Sequence, residues 1–130
     1  MGGPGPRPLV LDTGGLIALE KGDRLAREIL RRAVDSGAPV VVPAAVLAQA
    51  WRDPRRQARL ARLIASETTS IDVLDGDTAK AVGIICERSG TSDVVDASVV
   101  LSARLHEAVV VTSDAEDLRR IDPALEVVAR

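Results

Sequence analysis

Five aspartates stand where a carboxylate could do chemistry. Asp12 follows the apolar run Leu9-Val10-Leu11, so a strand would deliver it to its carboxyl end. Asp114 and Asp117 follow another such run, in Val111-Thr112-Ser113-Asp114-Ala115-Glu116-Asp117. Asp93 and Asp96 lie three residues apart in the first turn of an expected helix, hence on one face. Any one of them could be a cap, because helix N-termini favour negative charge. Capping explains less well why carboxylates should gather at every corner of one sheet edge. Brought together they would repel one another unless a hard cation lay between them. Oxygen-only ligands suit Mg²⁺ or Mn²⁺, ions that activate water and neutralise a phosphoryl group during in-line displacement.

The elements that must position these groups alternate in kind. Strands are expected at 8–11, 39–42, 70–74, 108–112 and 126–129, each short and rich in β-branched residues. Between them the pattern predicts helices over 13–20, from the Asp23 cap to Gly37, over 44–51, from Asp53-Pro54 to about Ser66, over 76–88, 92–106 and 115–120. Strands alternating with helices imply an α/β chain with an open, mostly parallel five-stranded sheet covered on both faces. In such sheets ligands bind outside the carboxyl ends of the strands, where Asp12 and Asp114 fall. Residues 1–7 carry no packing pattern and read as a flexible N-terminal leader, leaving 8–130 as one domain.

Composition narrows the functions open to the chain. Its 130 residues include no Phe, no Tyr and a single Trp, which excludes platforms that stack bases on aromatic rings. A net charge of −2 argues against diffuse electrostatic binding of nucleic acid. That near-neutrality hides an asymmetry, however. Residues 1–66 carry 11 Lys/Arg against 6 Asp/Glu, and residues 67–130 carry 6 against 13. One His and one Cys exclude a His/Cys zinc cluster and an internal disulfide. With no membrane-length apolar run and no secretory pattern, a cytoplasmic enzyme or binding domain is expected.

Leu11-Asp12-Thr13-Gly14-Gly15-Leu16-Ile17-Ala18-Leu19, then Asp96-Ala97 opening a helix, then Val109-Val110-Val111-Thr112-Ser113-Asp114 resemble, in order and spacing, the motifs of the PIN-domain ribonucleases. Within that family the chain resembles the VapC-type toxins of bacterial toxin–antitoxin pairs, over about residues 8–129. The resemblance implies a single α/β/α domain with strand order 3-2-1-4-5. It also implies a Mg²⁺- or Mn²⁺-dependent endoribonuclease leaving 5′-phosphate and 3′-hydroxyl ends. Asp12, Asp96 and Asp114 would be metal ligands, with Asp117 close behind to complete the catalytic acids and orient water. Thr13 and Thr112 would supply hydroxyls behind the ligands, and Asp93 is a possible additional ligand. The partners implied are an RNA substrate, a VapB-like antitoxin and a second copy of the chain, and none is a membrane. The apolar helices after the first two strands are the candidate dimer surface.

One departure stands out. The family places a Glu on the helix after the second strand, and Gln49 occupies the best-matching position here. A neutral amide cannot act as a base and brings less negative charge. Gln49 therefore keeps open a second reading, a catalytically impaired PIN domain that binds protein or RNA. A phosphoacceptor receiver domain ranks lower, for want of a paired acid after strand one and a lysine near the last strand; the only lysines are Lys21 and Lys80.

Arg52, Arg55, Arg56, Arg59 and Arg62 recur at three- and four-residue spacing, which would align most of them on one helix face. That face could track RNA or receive an acidic antitoxin segment, the plain alternative being a solvated surface. Asp72, Asp75 and Asp77 lack the spacing of a calcium loop, and the latter two read as caps. Trp51 and Cys86 are expected in apolar surroundings, and His106 at a helix C-terminus in contact with the dipole.

Overall fold

The structure is a computed structural model, and it describes residues 5–129. Strands β1 (Leu9–Leu11), β2 (Val40–Pro43), β3 (Thr69–Asp72), β4 (Val109–Thr112) and β5 (Val127–Ala129) form one sheet. Helices α1 (Thr13–Glu20), α2 (Arg24–Ser36), α3 (Ala44–Ala50), α4 (Ala58–Ala65), α5 (Gly76–Ser89), α6 (Val94–His106) and α7 (Ala115–Ile121) connect them. The order is β3-β2-β1-β4-β5 and every pairing is parallel, as the resemblance implies.

Parallel neighbours must be joined by crossovers, and these are right-handed. The chain steps outward from β1 through β2 to β3, then crosses back to β4 and on to β5. The two directions place their helices on opposite faces. Accordingly α1 packs against α2, α3 and α4, while α6 packs against α5 and α7; α3 also meets α6. The direction changes between β1 and β4, which are paired from Leu9 with Val109 to Leu11 with Val111. The crevice for a ligand therefore opens at their carboxyl ends.

The interior follows from the composition. Without Phe or Tyr, the main core is built from Val, Leu and Ala, among them Val10, Val40, Val41, Val42, Val110, Val111, Leu16, Leu60, Val99 and Leu118. Val40–Val42 are buried as a run, because both faces of β2 are covered. Trp51 packs partly buried against this core, and Cys86 against a smaller cluster of Val82, Ile85 and Ala97. Among the described residues no helix is long and apolar enough to cross a membrane.

Two expectations about elements are corrected. The helix expected from Asp53-Pro54 begins only at Ala58. The Asp53 carboxylate turns back to accept from the Arg55 N–H at 3.0 Å, and the Gln57 amide oxygen accepts from the Arg52 and Asp53 N–H groups at 2.8 and 3.1 Å. These side-chain bonds satisfy the backbone locally, so a helix has nothing to gain there. The expected strand over 70–74 stops at Asp72, leaving Val73 and Leu74 exposed. Of the expected leader, residues 1–4 lie outside the described residues. Arg7 donates to the Glu107 carbonyl and pairs with Glu126.

Candidate active site

The site is assembled where β1 and β4 end side by side. Asp12, the first residue past β1, is only 6% exposed. Its Oδ1 caps α1 by accepting from the Gly15 N–H at 2.7 Å, and its Oδ2 accepts the hydroxyl of Thr112, the last residue of β4. The Thr112 oxygen in turn accepts from the Asp114 N–H at 2.8 Å, which orients the chain leaving β4. One hydroxyl thus fixes two acidic positions that are remote in sequence.

Close approach at this corner depends on glycine. A Cβ on Gly15 would stand 2.7 Å from the Val111 carbonyl oxygen, a contact real side chains do not make. The start of α1 can lie over β4 because residue 15 has no side chain.

Asp96 comes from the other face. It sits in the first turn of α6, whose N-cap is Asp93: the Asp93 Oδ1 accepts from the Asp96 N–H at 2.9 Å. Half-buried, Asp96 has its pKa raised to about 6, first by burial and then by the charges of Asp93, Asp114, Asp12 and Asp117. Asp114 is also raised, first by a hydrogen bond with the Asp117 carboxyl, then by burial and by the charges of Asp117 and Asp12; Arg120 opposes the rise. The five acids singled out by the sequence therefore form one electrostatic neighbourhood.

Gln49 reaches the rim of this cluster from α3, where its amide oxygen accepts the Thr13 hydroxyl beside Asp12. Asp117 pairs with Arg120 through Nη1–Oδ1 at 2.9 Å. Arg120 was not anticipated, although its three-residue spacing from Asp117 on α7 is a signal that could have found it. Nor was Gly15, whose signal is a paired glycine directly after a strand-end acid.

The donor set is entirely hard oxygen, which suits Mg²⁺ or Mn²⁺. Among the described residues no group of three His, Cys, Asp or Glu side chains is arranged to hold a metal ion. That is compatible with Mg²⁺, which keeps several waters and takes one or two carboxylates rather than a dedicated cage. The crowding of Asp96 by four other carboxylates gives an added positive charge something to relieve.

The arginines divide into two groups, contrary to the single helix face expected. Arg52, Arg55 and Arg56 lie in the loop before α4 rather than on it. Arg52 donates to the Ala48 and Trp51 carbonyls, while Arg55 and Arg56 flank Asp53 and are almost fully exposed. Arg59, on α4, donates to the Glu20 carbonyl and borders a groove with Arg27, Arg31 and Arg62 over Leu30 and Leu63.

His106 ends α6, as expected, and has a partner besides the helix dipole. Its Nε2 stands 2.9 and 3.0 Å from the Asp72 carboxylate oxygens, and Ser102 donates to the same carboxylate at 2.7 Å. Asp72 thus joins β3 to the end of α6. The aspartate run holds no calcium loop, since Asp75 caps α5 and Asp77 lies in its first turn.

No curated protein matches the chain by sequence. Among solved structures, VapBC2 from Rickettsia felis bound to a fragment of promoter DNA has a chain of similar fold, with TM-score 0.69 and 17% identity over 95% of this chain and 98% of that one. A toxin–antitoxin complex from Klebsiella pneumoniae gives 0.69 and 20%, covering 92% and 95%. FitAcB from Neisseria gonorrhoeae gives 0.57 and 18%, covering 92% and 95%. At these identities the likeness is one of fold. The sequence itself carries the assignment: the family model described as PIN domain matches residues 9–123, and the chain belongs to that family.

Proposed function

We propose that this chain is a metal-dependent endoribonuclease, the toxin half of a pair held in check by an antitoxin. The observation that carries this reading is the joining of the β1 and β4 ends through Thr112 and Asp12, with Asp96 of α6 near enough to feel the charges of Asp12 and Asp114. Asp12, Asp96 and Asp114 would hold the ion. Bound there, Mg²⁺ or Mn²⁺ would lower the pKa of water and offset charge on the phosphoryl group.

The chain's own residues supply the rest. Thr112 keeps the Asp12 carboxylate in one orientation, leaving it less freedom to lose when it engages a ligand. Asp117, in the first turn of the helix that Asp114 begins, would take the proton of the attacking water. Water adds to phosphorus, the bond to the 3′ oxygen breaks, and that oxygen gains a proton, giving 5′-phosphate and 3′-hydroxyl ends. With no aromatic platform, RNA would be selected by shape and by phosphate contacts, for which Arg52, Arg55 and Arg56 are available.

The antitoxin reading draws on the neighbours in fold, which were solved as toxin–antitoxin complexes. An antitoxin segment would cover the carboxylates and place a basic residue among them. A homodimer is proposed too, using the exposed Leu105 and Leu74 beside Ala44 and Ala45 of α3. The second reading, a binding module of reduced activity, is favoured by one observation, the amide of Gln49 on Thr13.

The test is cleavage of total RNA by protein freed of any antitoxin, in Mn²⁺ and in EDTA, beside Asp12→Asn and Asp96→Asn. Metal-dependent cleavage lost in both variants is expected. No cleavage, or cleavage indifferent to both substitutions, would leave the binding-module reading in its place.

A further inference from the structure

The five carboxylates create a difficulty for the proposed substrate, because an RNA backbone approaching them is repelled. Arg120 is a cation at the border of this cluster. It lines a cavity with Thr91, Asp93, Asp96 and Asp117, between the α5–α6 connection and α7. Its guanidinium donates to Asp117 and makes no other hydrogen bond among the described residues, and its side chain is 74% exposed. A guanidinium has five N–H donors, so most of this one's capacity is unspent.

Two other arginines of this half, Arg104 and Arg119, are engaged elsewhere. Arg104 pairs with Asp122 at 3.0 Å, and Arg119 is directed at the Leu125 carbonyl at 3.5 Å. The loop arginines follow α3, the helix that carries Gln49. Arg120 therefore offers a second point of attachment, on the α7 side of the acids.

We propose that Arg120 binds a backbone phosphate of the RNA at the acidic site, exchanging Asp117 for that phosphate when substrate arrives. The inference rests on the nuclease reading for its substrate. Chemically the exchange is easy: exposed ion pairs three residues apart on a helix hold weakly, whereas a phosphate takes a guanidinium in a two-pronged contact. Release of Asp117 leaves its carboxylate beside Asp114, where water must be oriented. Arg120 is thus a substrate-positioning residue that couples RNA binding to the freeing of an acid.

The experiment combines cleavage kinetics at saturating Mn²⁺ with binding of a fluorescent single-stranded RNA, read across salt in an Asp12→Asn background. Arg120→Ala should raise KM about tenfold while kcat stays within about twofold. It should also reduce the slope of log affinity against log salt by about 0.7, the share of one phosphate contact on a single strand. Arg120→Lys should recover the slope, since it keeps the charge, but not the full affinity, since it loses the fork. Unchanged KM and slope in Arg120→Ala would overturn the proposal, as would a loss confined to kcat or traced to weaker Mn²⁺ binding. If wild type cleaves and Arg120→Ala matches it, only this inference falls. If RNA binds with an Arg120-dependent slope but is never cut, the nuclease reading falls and the phosphate contact stands. Neither binding nor cleavage by wild type would overturn both.

Discussion

Thr112 gives its hydroxyl hydrogen to Asp12 across one hundred residues of chain. Both residues are buried, and both lie at carboxyl ends of neighbouring strands. A buried carboxylate without a donor is costly, so the bond serves the fold as well as the site. Thr112→Val keeps the shape but leaves the Asp12 Oδ2 without this donor. It should cost about 1–3 kcal/mol of stability and lower kcat/KM about tenfold. Thr112→Ser should retain most of both. Urea titration together with cleavage rates in Mn²⁺ would check this, and a Val variant equal to wild type in both would contradict it.

A second expectation concerns the close approach at Gly15. An alanine methyl would meet the Val111 carbonyl oxygen at 2.7 Å, and backbone cannot swing aside as a side-chain tip can. Gly15→Ala should destabilise the chain by about 1–3 kcal/mol, the usual cost of forcing extra volume into a packed site. Gly76→Ala, where nothing lies within 4 Å, should be neutral or slightly stabilising. Thermal melts of the two variants would separate a steric cost from a general effect of losing glycine.

Most elements are legible in the sequence because local pattern determines them. Leu9–Leu11 and Val109–Thr112 are β-branched or apolar runs, each ending at an acid or a turn. Asp23 and Asp75 each cap a helix through the N–H three residues on, where the sequence places it; Asp93, expected inside the first turn, instead caps α6 in the same way. Strand order is not a local property, and here it came from resemblance. What escaped local reading is a contest between nearby groups. Asp53-Pro54 carries a helix-start signal, yet the Gln57 side chain takes the Arg52 and Asp53 N–H groups and delays the helix to Ala58. That choice moves three arginines off the helix. Likewise nothing near His106 in sequence discloses Asp72, its partner 34 residues away. The acids could be nominated one by one; their mutual influence needed the fold.

The raised pKa of Asp96 fixes the sign of a pH dependence. Its folded value, about 6, lies above the ordinary 3.8 of an unfolded Asp, so the folded chain binds the proton more tightly between those values. In the absence of metal, this group's contribution to stability falls as pH rises through roughly 4 to 6. Metal-free protein should therefore melt higher at pH 5 than at pH 7, and Asp96→Asn should flatten that difference. Divalent cation works in the opposite sense, because it needs the carboxylate ionised. The rise in Tm on adding Mn²⁺ should be largest at pH 7 to 8 and shrink below pH 6. A Mn²⁺ effect independent of pH, or unchanged in Asp96→Asn, would remove Asp96 from the ligand set.

Gln49 poses the sharpest question about rate. Its amide oxygen already accepts from the Thr13 hydroxyl, so Gln49→Glu keeps that acceptor while adding a negative charge beside Asp12. Asp93 is the other candidate to supply a missing carboxylate, but its Oδ1 is engaged in capping α6. A capping oxygen keeps a second lone pair, as the Asp12 Oδ1 does at the start of α1, so the cap leaves Asp93 a rival that only the variants separate. Gln49→Glu is expected to tighten Mn²⁺ binding and raise kcat/KM by about threefold to tenfold, a change of roughly 1 kcal/mol in transition-state stabilisation. In EDTA the same variant should melt slightly lower than wild type, because the added charge joins an already repulsive group. Cleavage assays over a Mn²⁺ titration, paired with melts in EDTA, measure both effects. If the rate does not move but Asp93→Asn abolishes it, the carboxylate that matters is supplied from the α6 cap, and the Gln at residue 49 is no impairment.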